Sequence, residues 1–308
     1  MTNNRSSSRN VFIEFASEPG VIKGGLCASR NLTKAQFLDM LGILIEPSNG
    51  FYVRPWGSTT PVSPTSQLLR HGRYVIYPRV EGHEVRITNE QYVPRTLSLG
   101  SMATTERFRR QVRNRDGRCV ISNHQVMDVQ RWTGFEAAHI FPRSISDLFS
   151  SHGFANQLTY DISEGVNSPQ NGILLRADIH QLWDTYQVAV NPDRGYRVHA
   201  FLPNAWYLHN RVMHMCCRQP NHPQRVIDLF LRWHFEQAVL CNMKGAGEPV
   251  WEHDFPPGSD MVGEILQGPA AAQRMEAELF QRLQGYDGAI SEEDENKDED
   301  EDGDGDGD

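Results

Sequence analysis

The sequence predicts an α+β protein: a mostly β module first, a strand–turn–helix unit in the middle, and helices toward the C-terminus. Three observations predict it. From Asn10 to about Leu99, short apolar and β-branched runs are broken by Pro and Gly, the composition of strands and turns. In the middle, a His…Asn…His series lies in two short segments, Phe135-Glu-Ala-Ala-His139-Ile-Phe-Pro-Arg143 and Asn167-Ser-Pro-Gln-Asn171 through Asp184. Beyond residue 203, apolar residues recur at helical spacing.

Residues 1–9 are polar and Ser/Arg-rich and read as a disordered lead. In the module 10–99, Val11-Phe-Ile-Glu-Phe15, Gly50-Phe-Tyr-Val-Arg54 and Arg73-Tyr-Val-Ile-Tyr77 read as strands, and Val85-Arg-Ile87 alternates. Asn31 to Leu41 is more helical. Nothing in these residues carries chemistry, so the module reads as a packing or partner-binding element. Ser98 to Thr105 is a linker into the middle unit, 103–203. Glu106 to Arg118 then holds six Arg against Glu106 and Asp116. It reads as a helix capped by Thr104 or Thr105, with Phe108 and Val112 four apart facing the core. Arg107, Arg110 and Arg113 share a more exposed face, suited to lie along a phosphate backbone.

Phe135 to Phe141 reads as a strand, and the 31 residues between His139 and Asn171 as a surface excursion with a short helix near Ile145–Phe149. Ala177 to Tyr186 reads as a helix. Gln187–Val190 and Tyr196–Phe201 read as a hairpin turning through Asn191-Pro-Asp-Arg-Gly195. In the helical region 204–285, Gln224 to Met243 presents a broad apolar face and stops before Gly245, and Ala270 to Leu283 forms another helix. Residues 286–308 are a low-complexity acidic tail that reads as disordered.

At 308 residues the chain buries a substantial core, and two domains are the natural expectation. No run of about 18 apolar residues exists, so no membrane span is expected. Five cysteines and a polar start point to an intracellular, reduced protein, nuclear or cytoplasmic without distinction. Cys216 and Cys217 are adjacent, make no ordinary Cys-x-x-Cys site and read as two ordinary residues. The net charge of −9 misleads, because Ser291 to Asp308 alone carries 12 acidic residues and one Lys. The rest of the chain holds 29 Lys+Arg against 27 Asp+Glu, a slight positive balance. Only Lys23, Lys34 and Lys244 lie outside the tail, so the basic residues are nearly all Arg. Arg offers planar, bidentate phosphate contacts, which is compatible with a nucleic-acid partner.

The middle segments resemble the HNH endonuclease family, whose fold is called ββα-metal. The likeness rests on His139-Ile-Phe-Pro142 at a strand end and on Asn171 lying nine residues before His180. Arg115-Asp-Gly-Arg-Cys-Val-Ile121 resembles the strand that opens the same unit, and the motif match runs from about Arg115 to Pro192. The flanks, including Arg232-Trp-His-Phe235 and Gly245 through Asp260, resemble a group of fungal HNH-containing proteins.

The resemblance implies metal-dependent hydrolysis of phosphodiester bonds, with DNA as the substrate. His139 is the expected general base, since an unperturbed imidazole titrates near neutrality. Asn171 does not titrate, so its amide is expected to hold the loop or orient His139. His180 is expected to bind a divalent ion, Mg²⁺ first with Mn²⁺ or Zn²⁺ as alternatives, and Glu136 or Asp178 to complete the shell. Asp184, one helical turn on, is placed to accept the other ring N–H. Arg143 or Arg176 is expected on a phosphate oxygen.

Two departures bear on this. The zinc-binding Cys-x-x-Cys pairs of many HNH proteins are reduced here to Cys119-x-x-Ser122 and Arg176-x-x-Ile179, so no structural zinc is expected. Ala138 stands where many relatives carry a ligating Asp. Glu136 is on the same strand face, roughly 6–7 Å back. Ala138 favours an alternative, a catalytically degenerate HNH scaffold that binds nucleic acid or protein.

Overall fold

The computed structural model describes residues 3–46, 50–93, 95, 102–247, 249–250 and 260–266, together with 271, 272 and 275. It is a mixed α+β structure. Met1–Val250 form one compact unit and Trp251–Asp308 a second. The boundaries expected at 99 and 203 both fall inside the first unit.

That unit begins with a four-stranded sheet. Strand β1 (Val11–Phe15) pairs antiparallel with β2 (Glu18–Leu26). Helix α1 (Lys34–Leu44) follows, then β3 (Phe51–Pro55) and β4 (Gly72–Pro78), in the spatial order β2-β1-β4-β3. β4 runs parallel to β1, and parallel neighbours need a long crossover, supplied here by α1 and β3. Thr33 starts α1 with a capping box: its hydroxyl accepts from Gln36 N at 3.3 Å, and Gln36 Oε1 accepts from Thr33 N at 2.9 Å. Phe37, Met40, Leu41 and Leu44 bury against Val11, Ile13, Val53 and Ile76 of the sheet. The Val85-Arg-Ile87 alternation makes no strand, only a single bridge from Ile87 to Ile45.

Next come α2 (Met102–Asp116), β5 (Phe135–His139), the short α3 (Ser146–Ser151), β6 (Gly172–Arg176) and α4 (Ala177–Asp184). Thr104 and Thr105, expected as caps, lie inside α2. Of Arg115–Ile121, expected as the opening strand, Arg115 and Asp116 end α2 and Val120 and Ile121 lie in a turn, with the Val120 N–H donating to Leu174 O at 3.0 Å.

The hairpin β7 (Val188–Asn191) and β8 (Arg197–Ala200) is a wall between two cores. Val188, Val190, Val198 and Ala200 pack with Ile179 and Trp183, while Ala189 joins the core of the N-terminal sheet. Alternate strand residues face opposite ways, so one hairpin serves both sides. Helix α5 (Asp228–Met243) does the same along its length: Phe230, Leu231 and Trp233 enter the first core, and Phe235, Ala238, Val239 and Met243 the second. Its start lies at Asp228, four residues later than the apolar pattern suggests.

Residues 3–9, expected as a disordered lead, are ordered. Asn3–Asn4 pair with Pro249–Val250. Arg5 and Arg9 are buried: Arg5 donates to Asn242 Oδ1 at 2.6 Å and Thr185 O at 2.7 Å, and Arg9 to Asn242 O at 2.7 Å and to Gly245 O. The last carbonyls of a helix lack intrahelical donors and carry partial negative charge, so two guanidiniums at the end of α5 have a physical reason to order the lead. In the second unit α6 (Met261–Leu266) is a single short helix, where Asp260 Oδ1 accepts from Gly263 N at 2.9 Å. The helix expected over 270–283 lies almost wholly outside the described residues, and the acidic tail lies entirely outside them. Among the described residues no helix is long and apolar enough to cross a membrane.

Candidate active site

The site is built on the antiparallel pair β5–β6 and the helix that follows it without a loop. The register sets Phe135 opposite Arg176 and His139 opposite Gly172. α2 crosses this pair, and a Cβ at Gly172 would lie 2.5 Å from the Phe108 ring and 2.6 Å from Val112. Glycine directly after Asn171 is therefore what lets the helix approach. Phe108 and Val112 are buried, as their spacing predicts.

His139 closes β5 half-buried, its ring stacked on Phe108 with centroids 3.9 Å apart and 6° between planes. Its Nε2 meets Asn167 Oδ1 at 3.2 Å. Burial pushes the imidazole down to about 3, against the hydrogen bond to Asn167 that favours the cation, and the charges of Arg95 and Arg143 push the same way as burial. The His139 carbonyl accepts from Trp183 Nε1 at 3.3 Å and Arg95 Nη2 at 2.6 Å.

Asn171 is fully buried and does not hold His139. Its Oδ1 accepts from Phe141 N at 2.8 Å, and its Nδ2 donates to Phe141 O at 2.9 Å and Val166 O at 2.8 Å. It ties the chain after His139 to the chain before β6. Of the two roles expected for it, loop-holding is the one the geometry shows, and ring orientation passes to Asn167.

His180 lies on α4 between two carboxylates. Its Nδ1 is 2.6 Å from Glu136 Oε2 and its Nε2 3.2 Å from Asp184 Oδ2. Burial opposes the charge on this ring, but Asp184 and Glu136 outweigh it and hold the imidazolium up to about 10. The hydrogen bond to His180 in turn draws Glu136 down from the usual carboxylate range. Ala138 is fully buried in the core beneath α4, so the acidic group at this point of the strand is Glu136, whose side chain spans the distance to His180.

Arg95 joins the two halves. Its Nη1 donates to Ile140 O at 2.7 Å, its Nη2 to His139 O, and its Nε lies 3.0 Å from Asp184 Oδ1. The chain just before it is pinned by Val93, whose N–H donates to Gln237 Oε1 at 2.8 Å and whose carbonyl accepts from Tyr186 Oη at 2.9 Å. A residue expected to precede a linker thus braces both the strand carrying His139 and the helix carrying His180.

The remaining expected residues are dispersed. Asp178 is exposed and pairs with Arg176 two residues back, at 3.0 and 3.1 Å, with no contact to His180. Each of these two is thus paired with the other. Arg107 is engaged by Asp161 at 2.8 Å and Glu164 at 3.1 Å of the excursion, and Arg113 lies over the Trp132 ring at 5.1 Å. Arg110 stays exposed. Arg143 is near enough for its charge to act on His139, and Arg109, which the spacing did not single out, acts likewise on Glu136. Sequence spacing missed Asn167, Arg95 and Arg109. Asn167 stands four residues before Asn171 within the same segment, but no pattern separates it from the other polar residues there. A second group of metal-capable side chains, Asp116, Cys216 and Cys217, also converges among the described residues.

Residues 119–191 match the HNH endonuclease family, and residues 8–83 match a domain of unknown function. No curated protein and no solved structure matches the chain.

Proposed function

From the HNH endonuclease match and this geometry, we propose that the protein is a metal-dependent endonuclease of ββα-metal type that hydrolyses phosphodiester bonds in DNA. The match carries nuclease-type chemistry in general. The observation that carries the finer proposal is His180 held by Glu136 from β5 and Asp184 from α4, three residues along the strand from His139.

These residues fit a divalent ion. His180 Nδ1 and Glu136 Oε2 form a nitrogen–oxygen donor pair, and Glu136 is half exposed, so it is free to open and admit a cation. Asp184 then orients the ring from its far nitrogen, as a carboxylate behind a ligating imidazole does. The Glu136 carboxylate, with water completing the shell, suits Mg²⁺ or Mn²⁺. When bound, the ion supplies Lewis-acid stabilisation of the charge on phosphorus and on the leaving oxygen.

The chain's own residues do the rest. The Asn167 amide oxygen only accepts, so it fixes the proton on His139 Nε2 and leaves Nδ1 as the basic atom. Water loses its proton to that nitrogen. In the free protein His139 is neutral, as a base must be, but its basicity is low. An anionic phosphate beside it favours the imidazolium and raises that basicity as the substrate arrives. Arg143 near His139 and Arg109 near Glu136 supply cations for the phosphate oxygens.

Nicking of supercoiled plasmid by the full chain in Mg²⁺ or Mn²⁺ tests this, with EDTA and His139→Ala as controls. Metal-dependent nicking lost in His139→Ala is expected. DNA binding with no nicking in either metal would move the assignment to a binding scaffold.

A further inference from the structure

Asp116, Cys216 and Cys217 form a group that the proposed reaction does not use. Asp116 ends α2, and the two cysteines lie in the tight turn Met215–Arg218. One donor atom from each lies within 4.8 Å of the other two, and Cys216 Sγ is 4.0 Å from Asp116 Oδ1. Cys217 is fully buried and Cys216 half-buried, so the group is closed on one side and reachable on the other.

Asp116 has one place that no N–H fills. A carboxylate offers about four lone-pair sites. Arg115 Nε at 2.7 Å takes one on Oδ1, and Arg115 Nη2 at 2.9 Å and Leu174 N at 2.8 Å take two on Oδ2. The fourth, on Oδ1, takes only the weak Cys216 S–H contact at 4.0 Å, which a cation between the two atoms would replace. The charges also balance. Arg115, whose side chain is fully buried, offsets Asp116, and two thiolates would offset one divalent cation.

We propose that Asp116 Oδ1, Cys216 Sγ and Cys217 Sγ form a site for one thiophilic divalent cation, Zn²⁺ in the first place. Thiolates select such ions over Mg²⁺. Binding as two thiolates releases both thiol protons to solvent and forms no disulfide, so no oxidant is needed. The site ties the end of α2 to the 215–218 turn, and through the Leu174 N–H it backs β6 from behind. It is separate from the missing Cys-x-x-Cys pairs and does not depend on the nuclease proposal.

Co²⁺ titration of the reduced full-length protein tests it through thiolate-to-cobalt charge-transfer absorption, to which a His–carboxylate site does not contribute. One equivalent of Co²⁺ should give the band, Zn²⁺ should displace it, and Mg²⁺ should not. Cys216→Ser, folded by circular dichroism, should lose the band and weaken Zn²⁺ binding by more than about 100-fold, beyond the usual loss of an outer-sphere partner. His180→Ala should keep the band. In the unmodified chain, Zn²⁺ should protect Cys216 from alkylation, a readout that needs no variant. No band with the wild type, a band that survives Cys216→Ser, or alkylation of Cys216 unchanged by Zn²⁺ would each overturn the site.

Discussion

Arg95→Met removes the guanidinium that braces the site while keeping most of the side chain's stem. Arg95 is only 6% exposed, so the loss is not made good by water. Two charge-assisted hydrogen bonds to the His139 and Ile140 carbonyls disappear. Each such bond is worth about 1.5–3 kcal/mol. The His139 carbonyl keeps Trp183 Nε1, so its share is at the low end. Breaking a buried ion pair costs about 3–5 kcal/mol, but Asp184 is 30% exposed and keeps His180, which discounts that figure heavily. These contributions overlap, and a net loss of about 3 kcal/mol is the expected result. For a unit of this size that lowers Tm by roughly 6–12 °C. Urea denaturation of the full chain reads it directly, with Arg95→Lys beside it. A lysine restores a point charge but not the fork, so it should recover less than half of the loss. A loss below about 1 kcal/mol, or full recovery by Lys, would refute the bracing role.

Asn171→Ala leaves Phe141 N, Phe141 O and Val166 O without their partner in a fully buried place, and should cost about 3 kcal/mol by urea denaturation. A cost under about 1 kcal/mol would mean that the loop is held elsewhere. Stability should peak near pH 6.5 and fall on both sides. His139 and His199 are pushed down to about 3, His209 to about 4, and His234 well down, all by burial; unfolding lets them take up protons, so stability drops by about 1.4 kcal/mol per ring per unit as pH falls below 6.5. His180 has the opposite sign: held up to about 10, it stabilises fully below 6.5 and loses that contribution as pH rises toward 10. His180→Asn should therefore flatten the alkaline side alone, and a profile unchanged by it would contradict the His180 assignment. Mn²⁺ must displace the His180 proton, so its affinity by calorimetry should rise about tenfold per unit between pH 7 and 9 and be lost in Glu136→Ala. A flat pH dependence would mean that the ion binds elsewhere.

What the sequence made legible was local. Strands at Val11–Phe15 and Gly72–Pro78, the hairpin Val188–Ala200 and the helix carrying His180 follow from periodicity and turn residues within a few positions. His139, Asn171 and His180 were legible because a resemblance in spacing carries them together. The bracing of these residues was not, because its partners are remote along the chain. Arg95 sits 44 residues before His139, and Asn167 28 residues after it, with no periodicity to connect them. The same limit explains the misplaced cations. Arg107 and Arg113 share a helical face with Arg110, but what each meets depends on the excursion and on Trp132, which lie outside the helix. The lead shows the converse. Its polar composition argues for disorder only while the chain is considered alone, and the carbonyls at the end of α5 supply acceptors that no local window contains. The N-terminal module therefore need not bind substrate to matter. Its core is continuous with α5 and β7, and the chain leading out of it delivers Arg95 to the strand carrying His139 and the helix carrying His180. Deleting it should disable the site even though every motif residue remains.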